Sequence, residues 1–137
     1  MSAPASVPAF VSSLKRCLEK PDFLRHFYDR FMASSDEVRA KFANTNFATQ
    51  VKVLEQSLFV LAVAAEGQEG SLARAELPRL AKRHSRGELD VRPELYDLWL
   101  DCLVEAAREC DPEFDGEVEL AWRETLSVGI AQMRMAY

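Results

Sequence analysis

Only two histidines occur in this chain, and one of them, His84, stands where an imidazole could do chemistry. It ends the series Leu77, Leu80, Ala81, His84, the i, i+3, i+4, i+7 spacing of a single helix face. Its neighbours Lys82, Arg83, Ser85 and Arg86 fall on other faces, and Gly87 is expected to close the helix. The imidazole therefore points where the leucines point. A sheltered imidazole needs partners for its nitrogens, and these can be a hydrogen-bonding core group or a metal. A second polar group has the same character. The phenol of Tyr28 lies on a stripe with Leu24, Phe27 and Phe31, and a buried hydroxyl wants a partner. The other histidine, His26, sits off that stripe and is expected at the surface. Cys17, Cys102 and Cys110 have no metal-ligand spacing, are odd in number, and are expected as reduced, partly buried thiols.

The elements that must position these groups all repeat with a helical period. Val7, Phe10, Val11, Leu14 and Leu18 make a first stripe, which Pro21 interrupts. Phe23 to Phe31 form a strongly aromatic helix, and a short polar stretch, Ser34 to Phe42, carries at most a small helical piece. Asn44, Thr45 and Asn46 supply N-cap chemistry for a long helix bearing Val51, Leu54, Leu58, Leu61 and Ala65. Gly67, Gly70 and Ser71 loosen the chain before the histidine helix. Pro93 opens another long helix with Tyr96, Leu100, Leu103, Ala107 and Cys110 on one face, and Asp111-Pro112 ends it. Val118, Trp122, Leu126, Gly129 and Met133 line the last. No segment alternates as a strand does. Asp36, Glu37 and Arg39 read as a solvated face.

Composition narrows the function classes. The 137 residues, 48% hydrophobic and 28% charged, suit one globular domain spanning residues 1–137. A net charge of −5 leaves no basic footprint for nucleic acid and no polybasic patch for a membrane surface. The longest uninterrupted apolar run, Leu58 to Ala65, is too short to span a bilayer, so no membrane association is expected. The N-terminus lacks the pattern of a secretory signal, and a cytoplasmic location is expected.

An all-α chain of this length, with a histidine on the core face of a short late helix and two long helices after it, resembles a globin. The likeness extends to segments: Phe27-Tyr28-Asp29-Arg30-Phe31, Asp36 to Phe42, Gln50 to Leu58, Leu80 with His84, Val91-Arg92-Pro93 with Tyr96, and Ala121-Trp122. It runs from about Val7 to Met135 and is similar to single-domain bacterial haemoglobins and the haem domain of flavohaemoglobins. The resemblance implies a globin fold of six to eight helices around a haem pocket. It also implies haem b as cofactor and His84 as the axial ligand of its five-coordinate iron. Phe42, Leu54, Leu80, Val91 and Tyr96 are implied to border the haem, with Tyr28 and Gln50 facing a bound diatomic gas. Arg83 and Arg86 are candidates for the propionates or for plain solvated positions. The register of Gln50 leaves Phe47 or Val53 as alternatives for the distal pocket.

Three function classes follow from the resemblance. The first is reversible oxygen binding, storage or delivery, with dioxygen, carbon monoxide or nitric oxide as the ligand. The second is nitric oxide dioxygenation with a separate reductase. The third is a haem-based sensor or a haem-free interaction module. A homo-oligomer is compatible with all three. One departure from the flavohaemoglobin pattern bears on the chemistry. That family pairs the tyrosine resembling Tyr96 with a glutamate in the last helix, and here no acidic residue follows Glu124. The stretch from His84 to Tyr96 is also slightly longer than the resemblance leads one to expect.

Overall fold

In the computed structural model, residues 3–66 and 72–137 are described. They form seven α-helices and no strand: α1 Ala3–Leu18, α2 Phe23–Ala33, α3 Asp36–Lys41, α4 Phe47–Ala65, α5 Leu72–Arg83, α6 Glu94–Cys110 and α7 Gly116–Met135. The expected loosening at Gly67, Gly70 and Ser71 lies outside the described residues.

Helices α3, α4 and α7 start where short polar side chains take up unpaired backbone donors. Ser35 accepts from the Val38 N–H, Asn46 from Thr49, and Asp115 from Val118. Pro93 precedes α6, and the extended backbone of Asp111 stops it. The short piece α3 is a real helix, with Asp36 and Glu37 in its first turn where the helix dipole favours acids.

The stripes face one core. Phe10, Leu14, Phe27, Leu58, Leu103, Trp122 and Leu126 are completely buried. Trp122 is its hub, meeting Phe10 edge-on at 4.7 Å and Phe23 at 6.2 Å. Helix α7 packs against α1 and α4, and α2 packs against α6. Gly129 permits the close α4–α7 approach: a Cβ there would stand 2.2 Å from Leu61 Cδ2.

Two expectations are corrected. Gly87 does not cap α5 with a left-handed residue. The helix ends at Arg83, and it is Asp90, at φ 52°, that takes up left-handed backbone. The turn closes through the Asp90 N–H on the Ser85 carbonyl (2.8 Å) and the Val91 N–H on the His84 carbonyl (3.0 Å). Second, α4 is long and apolar enough to cross a membrane, although no uninterrupted run signals it. Its mean hydropathy is 1.3, and about a fifth of its apolar window is buried, because one face lies open along a groove.

Candidate functional site

Helices α2 and α4 bring Tyr28 and Gln50 together. Tyr28 lies on the buried face of α2, and its ring is boxed by Phe42 at 5.4 Å, Phe47 at 5.4 Å and Phe27 at 4.9 Å. Gln50 Nε2 donates to Tyr28 Oη at 3.1 Å. The amide thus occupies a lone pair on the phenol oxygen and leaves the O–H proton free to donate elsewhere. Burial pushes the Tyr28 hydroxyl up to about 12, with the Gln50 hydrogen bond opposing weakly, so the phenol keeps its proton at neutral pH.

Of the alternatives for the distal register, Gln50 and Phe47 both reach Tyr28, whereas Val53 is nearly half exposed. Phe42 ends α3 and joins the aromatic box, and Arg25 stacks over the outer face of Phe47 at 4.4 Å. Leu54, one turn after Gln50, is buried.

His84 follows the last residue of α5 and is half-buried. Its Nδ1 lies 2.8 Å from the Leu80 carbonyl, so Nδ1 carries the proton and donates. Burial lowers its pKa, the Leu80 carbonyl opposes this, and Arg83 adds to the lowering. The imidazole is therefore neutral at neutral pH, with Nε2 as the nitrogen whose lone pair can take a metal.

Between α4 and α5 runs a groove of about 740 Å³, within the size range of cofactor sites. Val53, Ser57, Val60 and Val63 form one wall and Glu76, Arg79 and Leu80 the other. Leu80, whose carbonyl orients His84, is thus also a wall of the groove. A second depression, of about 420 Å³, lies between Leu24 and Val51 on the outer side of Phe47, away from the imidazole.

Val91 is half-buried and hydrogen-bonded to the His84 carbonyl. Tyr96 is buried in α6, which pushes its hydroxyl up to about 12, and the charge that opposes this is that of Arg134 in α7. Arg83 pairs with Glu88 at 3.5 Å, and Arg86 lies over the Tyr137 ring at 4.7 Å. Asp36 pairs with Arg39, but Glu37 is no bland solvated residue: it accepts a forked set of hydrogen bonds from Arg92. That contact escaped the sequence reading because 55 positions separate the two residues and no local periodicity links them.

These features can be set beside known proteins. The family model for globins matches residues 14–133. The chain is a globin. Among solved structures it is similar to a protein from Pseudomonas aeruginosa PAO1 described as structurally highly homologous to a human hemoglobin. The two share 39% identity with a TM-score of 0.90, over 96% of this chain and 98% of the other. No curated protein matches it. This globin therefore has the fold that the stripes and the segment likeness lead one to expect.

Proposed function

We propose that this globin holds haem b between α4 and α5, on the Leu80 side of the groove, with His84 as axial ligand, and binds dioxygen and related diatomics on the opposite face. The observation that carries the reading is the pair of spare valences. His84 has Nδ1 engaged and Nε2 available, while Tyr28 has its oxygen engaged by Gln50 and its proton available. Tyr28 is buried and His84 half-buried, and Leu80, whose carbonyl engages His84, also lines the groove. A haem would be held by His84 with Leu80, Leu54, Phe42, Val91 and Tyr96 around it. When bound, it supplies an iron that accepts a neutral imidazole and leaves a coordination position for a gas. The likeness of the Pseudomonas aeruginosa protein to a human haemoglobin supports the same reading.

The work of the chain is then orientation and hydrogen bonding. Leu80 fixes the imidazole tautomer through its carbonyl. Gln50 engages the phenol oxygen as donor, which leaves the Tyr28 proton turned away from the amide and available to a ligand. A phenol donor favours a ligand with partial negative charge over a less polar one, so it favours dioxygen over carbon monoxide. On the other side, Tyr96 stands in the field of Arg134, which is itself paired with Asp97, and no acidic residue follows Glu124 in α7. Without an acidic partner to strengthen electron donation from the imidazole side, this globin is better suited to holding a ligand than to peroxidase-like chemistry.

The test is a hemin titration of the purified protein followed by absorption spectra of the ferrous form with and without carbon monoxide. The wild type and His26→Ala should each take up one equivalent, and His84→Ala should not form the same complex. A wild type that stays colourless with hemin, or a His84→Ala variant with an unchanged ferrous spectrum, contradicts the proposal.

A further inference from the structure

The turn that follows His84 is held from across the molecule by α3. Arg92, at its end, donates to Glu37 from Nε at 2.9 and 3.2 Å and from a terminal nitrogen at 2.5 Å. One turn later in α3, Lys41 Nζ donates to the Leu89 carbonyl at 3.1 Å. The same short helix ends at Phe42, whose ring contacts Tyr28. So one six-residue helix touches the distal phenol at one end and the turn after His84 along its side. Within the turn, the Val91 N–H binds the His84 carbonyl directly, one residue before Arg92. A shift of Arg92 is passed through one peptide and one hydrogen bond to the histidine.

We propose that Glu37, Lys41 and Arg92 are positioning residues for His84: through them α3 sets the imidazole and the Tyr28 box as one unit. The inference rests on the axial role of His84 stated above. Exposed ion pairs usually contribute little. This one differs because the guanidinium is forked on the carboxylate, a geometry that fixes orientation as well as distance. It acts on a turn whose left-handed residue, Asp90, is also tied by the hydroxyl of Tyr137, two residues beyond the end of α7. The turn is therefore clasped from two sides, and α3 supplies the side shared with the distal pocket.

The test uses Arg92→Gln, Glu37→Gln and their double variant in the full chain. Hemin loss to an excess of a tighter-binding acceptor should quicken by about two- to fivefold in each single variant at low salt. If the pair acts as a unit, the double variant should match the singles and not multiply them. High salt should bring the wild type toward the variants. A merely structural contact would change unfolding alone; a positioning contact also shifts or broadens the iron–histidine stretching band of the ferrous protein. Hydrogen exchange of Leu89 to Val91, measured without hemin, should be faster in Arg92→Gln. Unchanged exchange there overturns the clasp whether or not hemin binds. Unchanged hemin loss, or independent effects that multiply, overturns the positioning role. Failure of the axial reading would show separately, as hemin uptake that His84→Ala does not impair.

Discussion

Among the described residues of this globin, two polar groupings are built on opposite rules. At the junction of α1, α6 and α7, the buried carboxylate of Asp111 accepts from Ser13 Oγ at 2.6 Å, Arg16 at 2.6 and 3.0 Å, and the Glu113 N–H at 2.9 Å. Ser13 in turn accepts from Trp122 Nε1 at 2.9 Å. Both oxygens of Asp111, the Ser13 hydroxyl and the Trp122 N–H are engaged there. Between α2, α4 and α5 the opposite holds: the Tyr28 proton and His84 Nε2 are sheltered yet carry capacity that the fold does not consume. A saturated network fixes helices in place, and a buried polar group with a spare valence is poised for something that is not part of the chain. The difference separates a structural cluster from a candidate site more sharply than burial does, since Tyr28 and Asp111 are equally hidden.

If that contrast is right, damage to the saturated cluster should appear as lost stability. Asp111→Ala would leave Arg16, Ser13 and the Glu113 N–H without their acceptor. Because Arg16 keeps some solvent access, we expect a loss of about 2–3 kcal/mol, below that of a wholly buried pair, read as a lower urea midpoint. Hemin uptake by the folded fraction should be unaffected. A loss of hemin binding without a loss of stability would break the contrast.

Close packing gives a second, slightly smaller effect. Gly129→Ala places a methyl against Leu61 Cδ2, and Leu61 must turn aside, at a cost of about 1–2 kcal/mol. Thermal unfolding measures it, and an unchanged Tm would mean that α4 and α7 separate freely.

The clusters also differ in pH response. Burial pushes the Asp111 carboxyl up, but the bonds from Arg16, Ser13 and Glu113 outweigh it, so the group titrates below its ordinary value. Its stabilisation is complete above the ordinary carboxylate range and is lost as pH falls through the folded value. Tyr28, raised to about 12, behaves in reverse: its contribution is complete below the ordinary phenol value near 10 and is lost as pH rises toward 12. Asp111→Asn should flatten part of the acid limb of stability, and Tyr28→Phe part of the alkaline limb. Unfolding free energies across pH give both, and equal acid limbs in wild type and Asp111→Asn would contradict the assignment.

Much of this was legible in the sequence, for a physical reason. Leu54, Leu58, Leu61, Trp122 and Leu126 repeat with the helix period, and period alone places them inside. His84 was legible in part: the period sets it beside Leu80, and the structure leaves it half-buried just beyond the end of α5. Tyr28 and Gln50 were paired only through the resemblance, since their contact joins two helices. Glu37 with Arg92, and Asp111 with Arg16 and Ser13, are contacts of tertiary folding with no local trace. Gly87 misled because the turn spends its left-handed residue at Asp90, where an Asx side chain tolerates it and Tyr137 holds it.

A smaller effect sharpens the distal side. Gln50→Leu removes the donor that orients the phenol without removing the phenol. Oxygen release should quicken by less than tenfold, the effect of about one neutral hydrogen bond. Carbon monoxide release should stay close to wild type. Stopped-flow release of both gases measures it, and an effect exceeding that of Tyr28→Phe would mean that the amide is itself the main donor.

The most direct test of the spare valence at Tyr28 is gas release from Tyr28→Phe. The substitution keeps the ring in its box of Phe27, Phe42 and Phe47 and deletes only the hydroxyl. Flash photolysis and stopped-flow mixing of the ferrous protein should show oxygen release faster by roughly ten- to a hundredfold, the equivalent of about 1.5–3 kcal/mol, with carbon monoxide release changed far less. Equal oxygen release in wild type and Tyr28→Phe would contradict the account: the free proton of Tyr28 would then serve the fold, and the contrast between the two clusters would fail.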